Sequence, residues 1–439
     1  MTATVASGLR VTARPAPFDL DAVALYASAG NGERWYWCDP ASDLVQVGLG
    51  SAMAITAEGS DRFAQISAAL RALPVAGSGR TGEPEPVLVG GFAFDDRVAA
   101  VRRPPWPAWP AARLVLPTLT YLRRGDEAWW LVAGEGGDAG DAVGDERVRA
   151  AVAAARAGWR PRIGPLAHGV ADPAVDDAHE ALVAAALDEL ARGQVAKVVL
   201  ARCLDIEAAV DEATLVHRLS RRHGDCVTFA VGMGDHAFVG ATPECLVSLT
   251  GDEVRTAAVA GTVRRGATPA EDRRLADWLA ADDKERREHM LVLDDIATAL
   301  RGVGVELTAQ QATGVLTLHS CHHLRTPVQG QRRDATTTVM DLAGALHPTP
   351  AVAGTPTAAA LDWIRDHEHM DRGWYAAPVG WTDLAGQGEL RVALRSALLG
   401  PERTHLFAGG GIVVGSDPRR ELLETAVKLR AVLSPLIDR

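Results

Sequence analysis

Three charged residues near the end of the chain are spaced so that they share one face of a helix. Glu421, Glu424 and Lys428 lie three and four residues apart, which brings their side chains together on an α-helix. Ser416–Pro418 predicts the helix start, because a capping side chain precedes a proline whose fixed φ suits the first turn. The preceding glycines, Gly409–Gly411, predict a turn with accessible backbone N–H groups. Such a set suits a divalent cation and an anionic substrate, although a solvated helix face is the commoner interpretation of this segment alone.

A second chemically interesting residue is a lysine inside an apolar strand. The β-branched residues of Gln194–Arg202 predict a strand, in which Lys197 shares a face with Val199 and Ala201. A lysine in a strand usually lies on an exposed edge. If Lys197 is buried instead, the loss of surrounding water lowers its pKa and leaves an amine that can act as a base.

Two carboxylates between these segments offer further chemistry. Glu244 lies between two strand-like runs, where it is either a solvated side chain or a general acid. Glu288 is followed by His289 near the start of a predicted helix, 282–302, and this pair alone is a weak signal. Gly261 interrupts an apolar run, which predicts a close approach of the backbone to another group.

Two regions must position these residues. Residues 1–170 predict a β-rich lobe that is integrated with the core, and residues 171–439 carry all the candidate groups. The strands of the first lobe are predicted at Val45–Gly50, Val87–Asp96, Arg113–Leu122 and Ala128–Ala133. Gly134–Glu146 is rich in Gly and Asp, so we expect a flexible surface connection there.

Composition narrows the functional class. The chain has 439 residues, 47% of them hydrophobic and 23% charged, which is ordinary for a globular protein. Its formal net charge of -11 argues against a general nucleic-acid binder, which needs a basic face. The five cysteines form no CxxC pair, and we find neither a signal peptide nor a stretch apolar enough to span a bilayer. We therefore expect a cytoplasmic protein with no nucleic-acid or membrane partner.

A series of motifs from Asp177 onward resembles the chorismate-utilising enzymes, the family of isochorismate, anthranilate, aminodeoxychorismate and salicylate synthases. The motifs occur in the family's order: KVVLAR, GATPE, AGT, the helix with EH, HHLRT, LHPTPAVAGTP, RGWYAAPVGW, LRSA, FAGGGIV and ELLETAVK. The resemblance implies an α+β fold with two β-sheets packed as a sandwich, helices outside and the site between the sheets.

The same resemblance assigns roles to individual residues. Lys197 would be the general base and Glu244 the general acid, while Glu288, Glu421 and Glu424 would hold Mg²⁺ against a ring carboxylate. The substrate, chorismate, would be held by polar and glycine residues and by an apolar ring pocket. These residues are Gly261, His323, Ala351, Val352, Tyr375, Leu394, Arg395, Phe407, Gly409, Gly410, Gly411 and Lys428.

Three positions select one reaction within the family. Lys197 resembles the isochorismate and salicylate synthases, whereas anthranilate synthases usually carry glutamine there. Ala260 replaces the lysine of aminodeoxychorismate synthases, and the HPTPAV stretch, 347–352, is absent from salicylate and anthranilate synthases. The resemblance therefore implies an isochorismate synthase that uses water, needs no glutamine amidotransferase subunit and is a monomer.

Several alternatives stay open at this point. A salicylate synthase and a non-catalytic chorismate-binding paralogue are the rival functions. The product would feed menaquinone or siderophore biosynthesis, and the first lobe resembles the menaquinone members somewhat more. Ala377 stands where the family commonly has glycine, so its added methyl group is expected near the pocket.

Overall fold

Two antiparallel sheets form the framework of the protein in this computed structural model. The structure describes residues 2–4, 9–73, 75, 82–96, 105–106, 109–135, 138–308, 311–318 and 321–438. Within these residues, strands are numbered β1 to β22 and helices α1 to α10 along the chain.

The first sheet has eleven strands among the described residues. Its spatial order is β1 (Thr2–Thr4), β5 (Met53–Ala57), β7 (Ala112–Leu116), β6 (Val87–Phe92), β19 (Pro378–Asp383), β20 (Gly388–Val392), β13 (Cys245–Thr250), β14 (Glu253–Arg264), β17 (Cys321–Arg332) and β15 (Val305–Leu307), and β16 (Gly314–Thr317) also pairs with β17.

The second sheet also has eleven strands in the described part of the chain. Its order is β18 (Gly354–Thr355), β10 (Lys197–Ile206), β22 (Thr404–Val413), β21 (Ser396–Leu399), β12 (His236–Thr242), β11 (Val227–Met233), β3 (Arg34–Asp39), β4 (Leu44–Leu49), β8 (Leu119–Arg124), β9 (Glu127–Glu135) and β2 (Leu9–Pro15).

Helices pack around these sheets. They are α1 (Ala22–Ala27), α2 (Arg62–Arg71), α3 (Asp138–Arg156), α4 (Asp177–Arg192), α5 (Glu212–Arg222), α6 (Pro269–Ala281), α7 (Asp283–Gly302), α8 (Val339–Leu346), α9 (Thr357–His367) and α10 (Pro418–Ile437). Among the residues that the structure describes, none of the helices combines the length and the apolar character that a membrane crossing requires.

The main hydrophobic core joins the two sheets. One buried cluster includes Trp37 and Phe229 from the second sheet together with Val89 and Val247 from the first. A second cluster packs α5 and α10 against the other face of the second sheet, through residues such as Leu219 and Leu429. The α+β fold with two sheets and outer helices is thus confirmed.

Strands from residues 1–170 continue both sheets of residues 171–439. β6 pairs with β19 in the first sheet, and β3 pairs with β11 in the second. Each sheet therefore runs without interruption from one region of the sequence into the other.

Two local expectations are corrected by the structure. Gly409–Gly411 do not form a turn but lie inside the continuous strand β22, where they pair in register with Val199–Ala201 of β10. The segment 134–146 does not stay a loop throughout, because α3 begins at Asp138. Asp141 and Asp145 of this helix form ion pairs with Arg14 of β2.

Candidate active site

One cavity brings nearly all of the predicted site residues together. It is lined by β10, β14 and β22, by the first turns of α7 and α10, and by the turns around 243–244, 351–352, 372–376 and 394–395. Every predicted catalytic, substrate-binding and metal-binding residue lines it, with the exception of Gly410. We call it the central cavity.

Lys197 projects into the central cavity from the first residue of β10. It is only 7% exposed, so it is not an exposed edge lysine. Burial lowers the pKa of Lys197, and the nearby Glu288 opposes this shift without cancelling it. The Lys197 Nζ lies 4.0 Å from Glu288 Oε2. A buried amine with a lowered pKa is the form in which a lysine can accept a proton.

Glu244 lies where the chain crosses from the second sheet, at the end of β12, to the first sheet, at the start of β13. Its backbone N–H donates to Thr242 Oγ1 at 3.2 Å, and Thr242 Oγ1 donates to Val392 O at 2.6 Å, which fixes the crossing. Burial raises the pKa of Glu244 to about 7. A carboxyl group with this pKa is protonated often enough near neutral pH to serve as an acid.

Four glutamates face the central cavity from two helices. Glu285 and Glu288 lie on the first turns of α7, and Glu421 and Glu424 lie on the first turns of α10. Burial, and then repulsion from Glu424, raises the pKa of Glu421 to about 7. Burial would also raise the pKa of Glu424, but its ion pair with Lys428, at 2.8 Å, outweighs this and lowers it.

The donor set of these helices fits a magnesium ion. Mg²⁺ prefers carboxylate oxygens and keeps several waters, and repulsion from Glu424 adds to the effect of burial in raising the pKa of Glu421, as expected for carboxylates that lie close together. The oxygens of Glu288, Glu421 and Glu424 do not all lie within 4.8 Å of one another, so a bound ion would have to draw them closer. In this arrangement Lys197 and Lys428 lie beside two of the three carboxylates.

Two glycines of β22 make room for neighbouring groups, Gly411 for Lys197 and Gly409 for the hydroxyl of Tyr375 and the carbonyl of Leu200. A Cβ atom at Gly411 would lie 2.8 Å from Cε of Lys197, and one at Gly409 would lie 3.2 Å from the hydroxyl of Tyr375. Lys428 Nζ donates to Gly409 O at 2.9 Å. The small residues are thus required by the close packing of functional side chains rather than by a turn.

The backbone N–H of Gly410 points in the opposite direction from those of Gly409 and Gly411. On β10 the amides of Val199 and Ala201 bond away from β22, to Ala353 O and Glu368 Oε1. Successive N–H groups along a strand point to opposite sides, so the N–H of Leu200 points towards β22. Leu200 and its partner Gly410 therefore form a hydrogen-bonded pair. The other side of Gly410 faces α10, where a Cβ atom added to the glycine would lie 3.4 Å from Thr425 Cγ2. This corrects the expectation that three consecutive N–H groups converge on the ligand.

Arg395 supplies a cation with no carboxylate partner among the described residues. It is 8% exposed, and its guanidinium contacts two thiols, Cys226 Sγ at 3.6 Å and Cys321 Sγ at 3.7 Å. Its backbone φ is +47°, a conformation that is unfavourable for a side chain of this size. A buried guanidinium held in this way is suited to an anionic ligand, because its planar fork matches a carboxylate.

Gly261 and His323 form a linked feature on the first sheet. The pairing of β14 with β17 shifts register between Ala260 and Thr262, and Gly261 at this bulge has φ +76°. A Cβ atom there would lie 2.9 Å from Glu285 Oε2. His323 Nδ1 lies 3.0 Å from Thr262 Oγ1 and 3.2 Å from Gly261 O, so the bulge also orients the imidazole.

The apolar wall is built from the remaining predicted residues. Tyr375 and Phe407 stack with their ring centroids 5.3 Å apart, and burial raises the pKa of the tyrosine. Ala351, Val352 and Leu394 complete this wall. Ala377 is fully buried outside the cavity lining and has no left-handed backbone, whereas Ala376 has φ +59°. The methyl group of Ala377 therefore does not enter the central cavity.

Sequence reasoning missed several lining residues. Glu285 could have been found, because it precedes Glu288 by three residues on the same helix. Arg372 lies in the RGWYAAP motif but gives no sequence signal of its orientation. Lys284, Thr262, Leu316 and Cys321 also line the cavity without any spacing that predicts it.

With this geometry in hand, comparison with known proteins identifies the family. The sequence matches the family described as "Chorismate binding enzyme" over residues 7–437, almost the whole chain. The chain belongs to the chorismate-binding enzymes.

Two relatives of this chorismate-binding enzyme cover most of its length. The "Salicylate biosynthesis isochorismate synthase" of Pseudomonas aeruginosa is 39% identical over 407 residues, 91% of this chain and 84% of the relative. The "Isochorismate synthase MenF" of Bacillus subtilis is 31% identical over 418 residues, covering 92% and 88% of the two chains. The chain is thus related to isochorismate synthases over both of its regions.

A solved structure shows the same architecture. The menaquinone-specific isochorismate synthase MenF of Escherichia coli superimposes with a TM-score of 0.81 at 29% sequence identity. The match covers 98% of this chain and 95% of that structure. The two-sheet fold of this chorismate-binding enzyme is therefore that of the family.

Proposed function

We propose that this enzyme is an isochorismate synthase, which converts chorismate to isochorismate by adding water at C2 with loss of the C4 hydroxyl. The observation that carries the proposal is the placement of Lys197 and Glu244. They reach one cavity from different walls, Lys197 from β10 and Glu244 from the crossing between the sheets. A base and an acid separated in this way suit a reaction that occurs at two carbons of one ring.

The proposed reaction balances as an isomerisation. Lys197 Nζ accepts a proton from water as the water oxygen bonds to C2, and the two ring double bonds shift. The C4–oxygen bond breaks as Glu244 donates its proton to the departing hydroxyl. One water enters and one leaves, and exchange with solvent returns the lysine and the glutamate to their starting protonation states.

The charged residues of the central cavity suit the two carboxylates of chorismate. Arg395 and Lys428 would hold the enolpyruvyl carboxylate, together with the amides of Gly409 and Gly411 that point away from β10. Lys428 uses donors on Gly409 O and Glu424, and a third proton of its ammonium is left for the substrate. Mg²⁺ held by Glu288, Glu421 and Glu424 would supply positive charge for the ring carboxylate.

The choice of water as nucleophile rests on two lining residues. The family's aminodeoxychorismate synthases carry a lysine at the position of Ala260, which here contributes only a methyl group to the cavity wall. Lys197 occupies the position at which anthranilate synthases usually carry glutamine. The cavity therefore offers a base for water rather than a path for ammonia, and no amidotransferase subunit is needed.

Product analysis tests the proposal. Purified protein with chorismate and Mg²⁺, but without glutamine or ammonium, should form isochorismate, and Lys197→Ala should abolish this while chorismate still binds. Salicylate with pyruvate as the main product would show a salicylate synthase instead. Binding of chorismate without any turnover would show a non-catalytic paralogue. Either result would overturn the proposal.

The product would enter menaquinone or siderophore biosynthesis in the cytoplasm. The menaquinone destination is supported by a relative described as menaquinone-specific, whereas another relative is named for salicylate biosynthesis. Deletion of the gene, followed by growth with menaquinone or with iron supplied, separates the two destinations.

A further inference from the structure

Two arginines line the central cavity, and their surroundings differ. Arg395 contacts thiols and no carboxylate among the described residues, so it is available for a ligand. Arg372 is 4% exposed and uses all three of its nitrogens for protein groups, including the carboxylate of Glu368. These contacts use four of the five N–H donors of the guanidinium, so protein groups rather than a ligand account for most of its hydrogen bonds.

Two backbone groups at the edge of β10 lie next to Arg372. The strand β18, which covers this edge, has only two residues and pairs with Lys197 and Val198. The amide of Val199 then donates to Ala353 O at 2.8 Å, after which the chain turns away. Among the described residues, no strand lies beside the carbonyl of Val199 and the amide of Ala201 at this edge. A buried polar group without a partner destabilises the folded state, so these two groups need other hydrogen-bond partners.

Glu368 and Arg372 supply these hydrogen-bond partners. Glu368 Oε1 accepts from Ala201 N at 2.7 Å, and Arg372 Nη2 donates to Val199 O at 2.7 Å. Arg372 Nε donates to Glu368 Oε2 at 2.8 Å, which joins the two side chains into one unit. An ion pair thus takes the place of the next two hydrogen bonds of a strand ladder.

The same ion pair also reaches the wall that would receive the substrate ring. Arg372 Nη1 donates to Val352 O at 2.9 Å, and its guanidinium lies 4.2 Å from the centre of the Phe94 ring. Val352 and the neighbouring Ala351 line the central cavity. One guanidinium therefore connects the strand that carries Lys197 with the turn that forms the ring wall.

We propose that the Glu368–Arg372 pair is a positioning device that fixes the strand of Lys197 and the turn of Ala351–Val352 relative to each other. This inference rests on the proposed function for its kinetic consequence. It requires the planar fork of arginine, because three acceptors in different directions must be met at once. A lysine has one nitrogen and can reach only part of this set.

The structure offers a matched control for a test. Arg34 is 7% exposed, pairs with Glu212 and donates to two carbonyls, Gly32 O at 2.8 Å and Gly234 O at 3.1 Å. It therefore makes the same kinds of contact as Arg372 but does not line the central cavity. Arg34→Lys should cost stability in a similar way without touching the site.

The experiment compares Arg372→Lys with Arg34→Lys in the full chain. Both should lower the Tm. Only Arg372→Lys should change the kinetics of the folded fraction, with kcat reduced about tenfold or more and KM for chorismate raised. Glu368→Gln, which keeps an acceptor for Ala201 but loses the charge, should give a smaller change in the same direction and covers the case in which Arg372→Lys fails to fold.

Calorimetric binding of chorismate separates this inference from the proposed function. If the wild type forms no isochorismate, the proposed function fails, but weaker binding in Arg372→Lys than in Arg34→Lys would still support positioning of the ring wall. The inference is overturned if Arg372→Lys and Glu368→Gln lose only stability and keep the wild-type kcat, KM and affinity for chorismate.

Discussion

At the scale of single residues, burial shifts the pKa values of the proposed base and the proposed acid in opposite directions. It lowers the pKa of Lys197, and it raises the pKa of Glu244 to about 7. An ammonium loses a favourable environment when water is removed, and so does a carboxylate. The same physical cause therefore favours an unprotonated base and a protonated acid, which is the pair of states that the proposed reaction needs.

The role of Glu244 can be tested by Glu244→Gln. Glutamine keeps the shape of the side chain but has no acidic proton, so kcat should fall about 10²-fold or more while chorismate still binds. In the wild type, Glu244 is protonated below its pKa of about 7, so the rate should decline as the pH rises above that value.

The residual activity of Glu244→Gln should lack this decline, because no carboxyl group titrates at that position. Steady-state kinetics across the pH range for both proteins checks the two expectations together. Near-normal turnover by the glutamine variant would mean that Glu244 is only a partly buried side chain beside the cavity.

The metal site is tested by Glu424→Gln. The change removes one charged oxygen ligand and also the partner of Lys428, so the apparent affinity for Mg²⁺ should fall about tenfold or more. Titration of activity with Mg²⁺, supported by calorimetry, gives the measurement. Glu180→Gln is a suitable control, since Glu180 pairs with Arg419 outside the cavity. Equal Mg²⁺ dependence in both variants would show that Glu424 does not bind the metal ion.

At the scale of elements, the close approach of β22 to Lys197 explains the glycine at position 411. A methyl group at Gly411 would meet Cε of Lys197 at 2.8 Å, and this flexible end can move aside without disturbing the sheet. The amine at its tip would move with it. The absence of a side chain at Gly411 is therefore a requirement of the site rather than of the strand.

Gly411→Ala should accordingly keep the fold and lose activity. We expect kcat to fall about tenfold or more because the base is displaced, with little change in Tm. Gly410→Ala is the control, since its methyl group would make ordinary contacts of 3.4 Å with Thr425 and 3.6 Å with Glu421. The Tm from thermal unfolding and the kcat of the two variants are the quantities to compare. Similar activity in the two variants would contradict the explanation.

Local signals in the sequence were sufficient to predict some elements and insufficient to predict others. The start of α10 is confirmed, with Asp417 capping the amide of Arg420 and Pro418 in the first turn, because a helix start depends on neighbouring residues. The turn predicted at 409–411 was wrong. Gly411 leaves space for Lys197 and Gly409 leaves space for the Tyr375 hydroxyl, and both of these residues are distant in the chain. Helix α3 was also missed, and it forms ion pairs with Arg14, which is distant in the chain.

At the scale of the whole molecule, each sheet is shared between residues 1–170 and residues 171–439. The first region supplies β6 beside β19 and β3 beside β11, and both regions contribute to the buried cluster between the sheets. Removal of the first region would leave two central strands as open edges and would expose much of that cluster.

A fragment containing residues 171–439 should therefore fail to fold alone, although it carries every proposed catalytic residue. We expect aggregation on expression, and a loss of cooperative thermal unfolding in any soluble material. Size-exclusion chromatography and circular dichroism check this. A soluble, cooperatively folded fragment that binds chorismate would contradict the shared-sheet account.

The limits of sequence reasoning about the site also arise at this scale. The types and order of the charged residues predicted one shared site, and Lys197, Glu244 and the glutamates of α7 and α10 do line one cavity. The burial of Lys197 could not be decided from its strand, because it depends on α7 and β22 packing from far along the chain. The hydrogen bonds of Arg372 at the edge of β10 depend on where β18 ends. No local sequence pattern predicts the end of β18.

The most direct test of the central claim is the origin of the oxygen in the product. Wild-type protein should be incubated with chorismate and Mg²⁺ in heavy-oxygen water, without ammonium, and the early product analysed by mass spectrometry. If water adds at C2 and the C4 hydroxyl departs, isochorismate should carry one heavy oxygen in its ring hydroxyl. Isochorismate without the label, or anthranilate or salicylate in its place, would contradict the account.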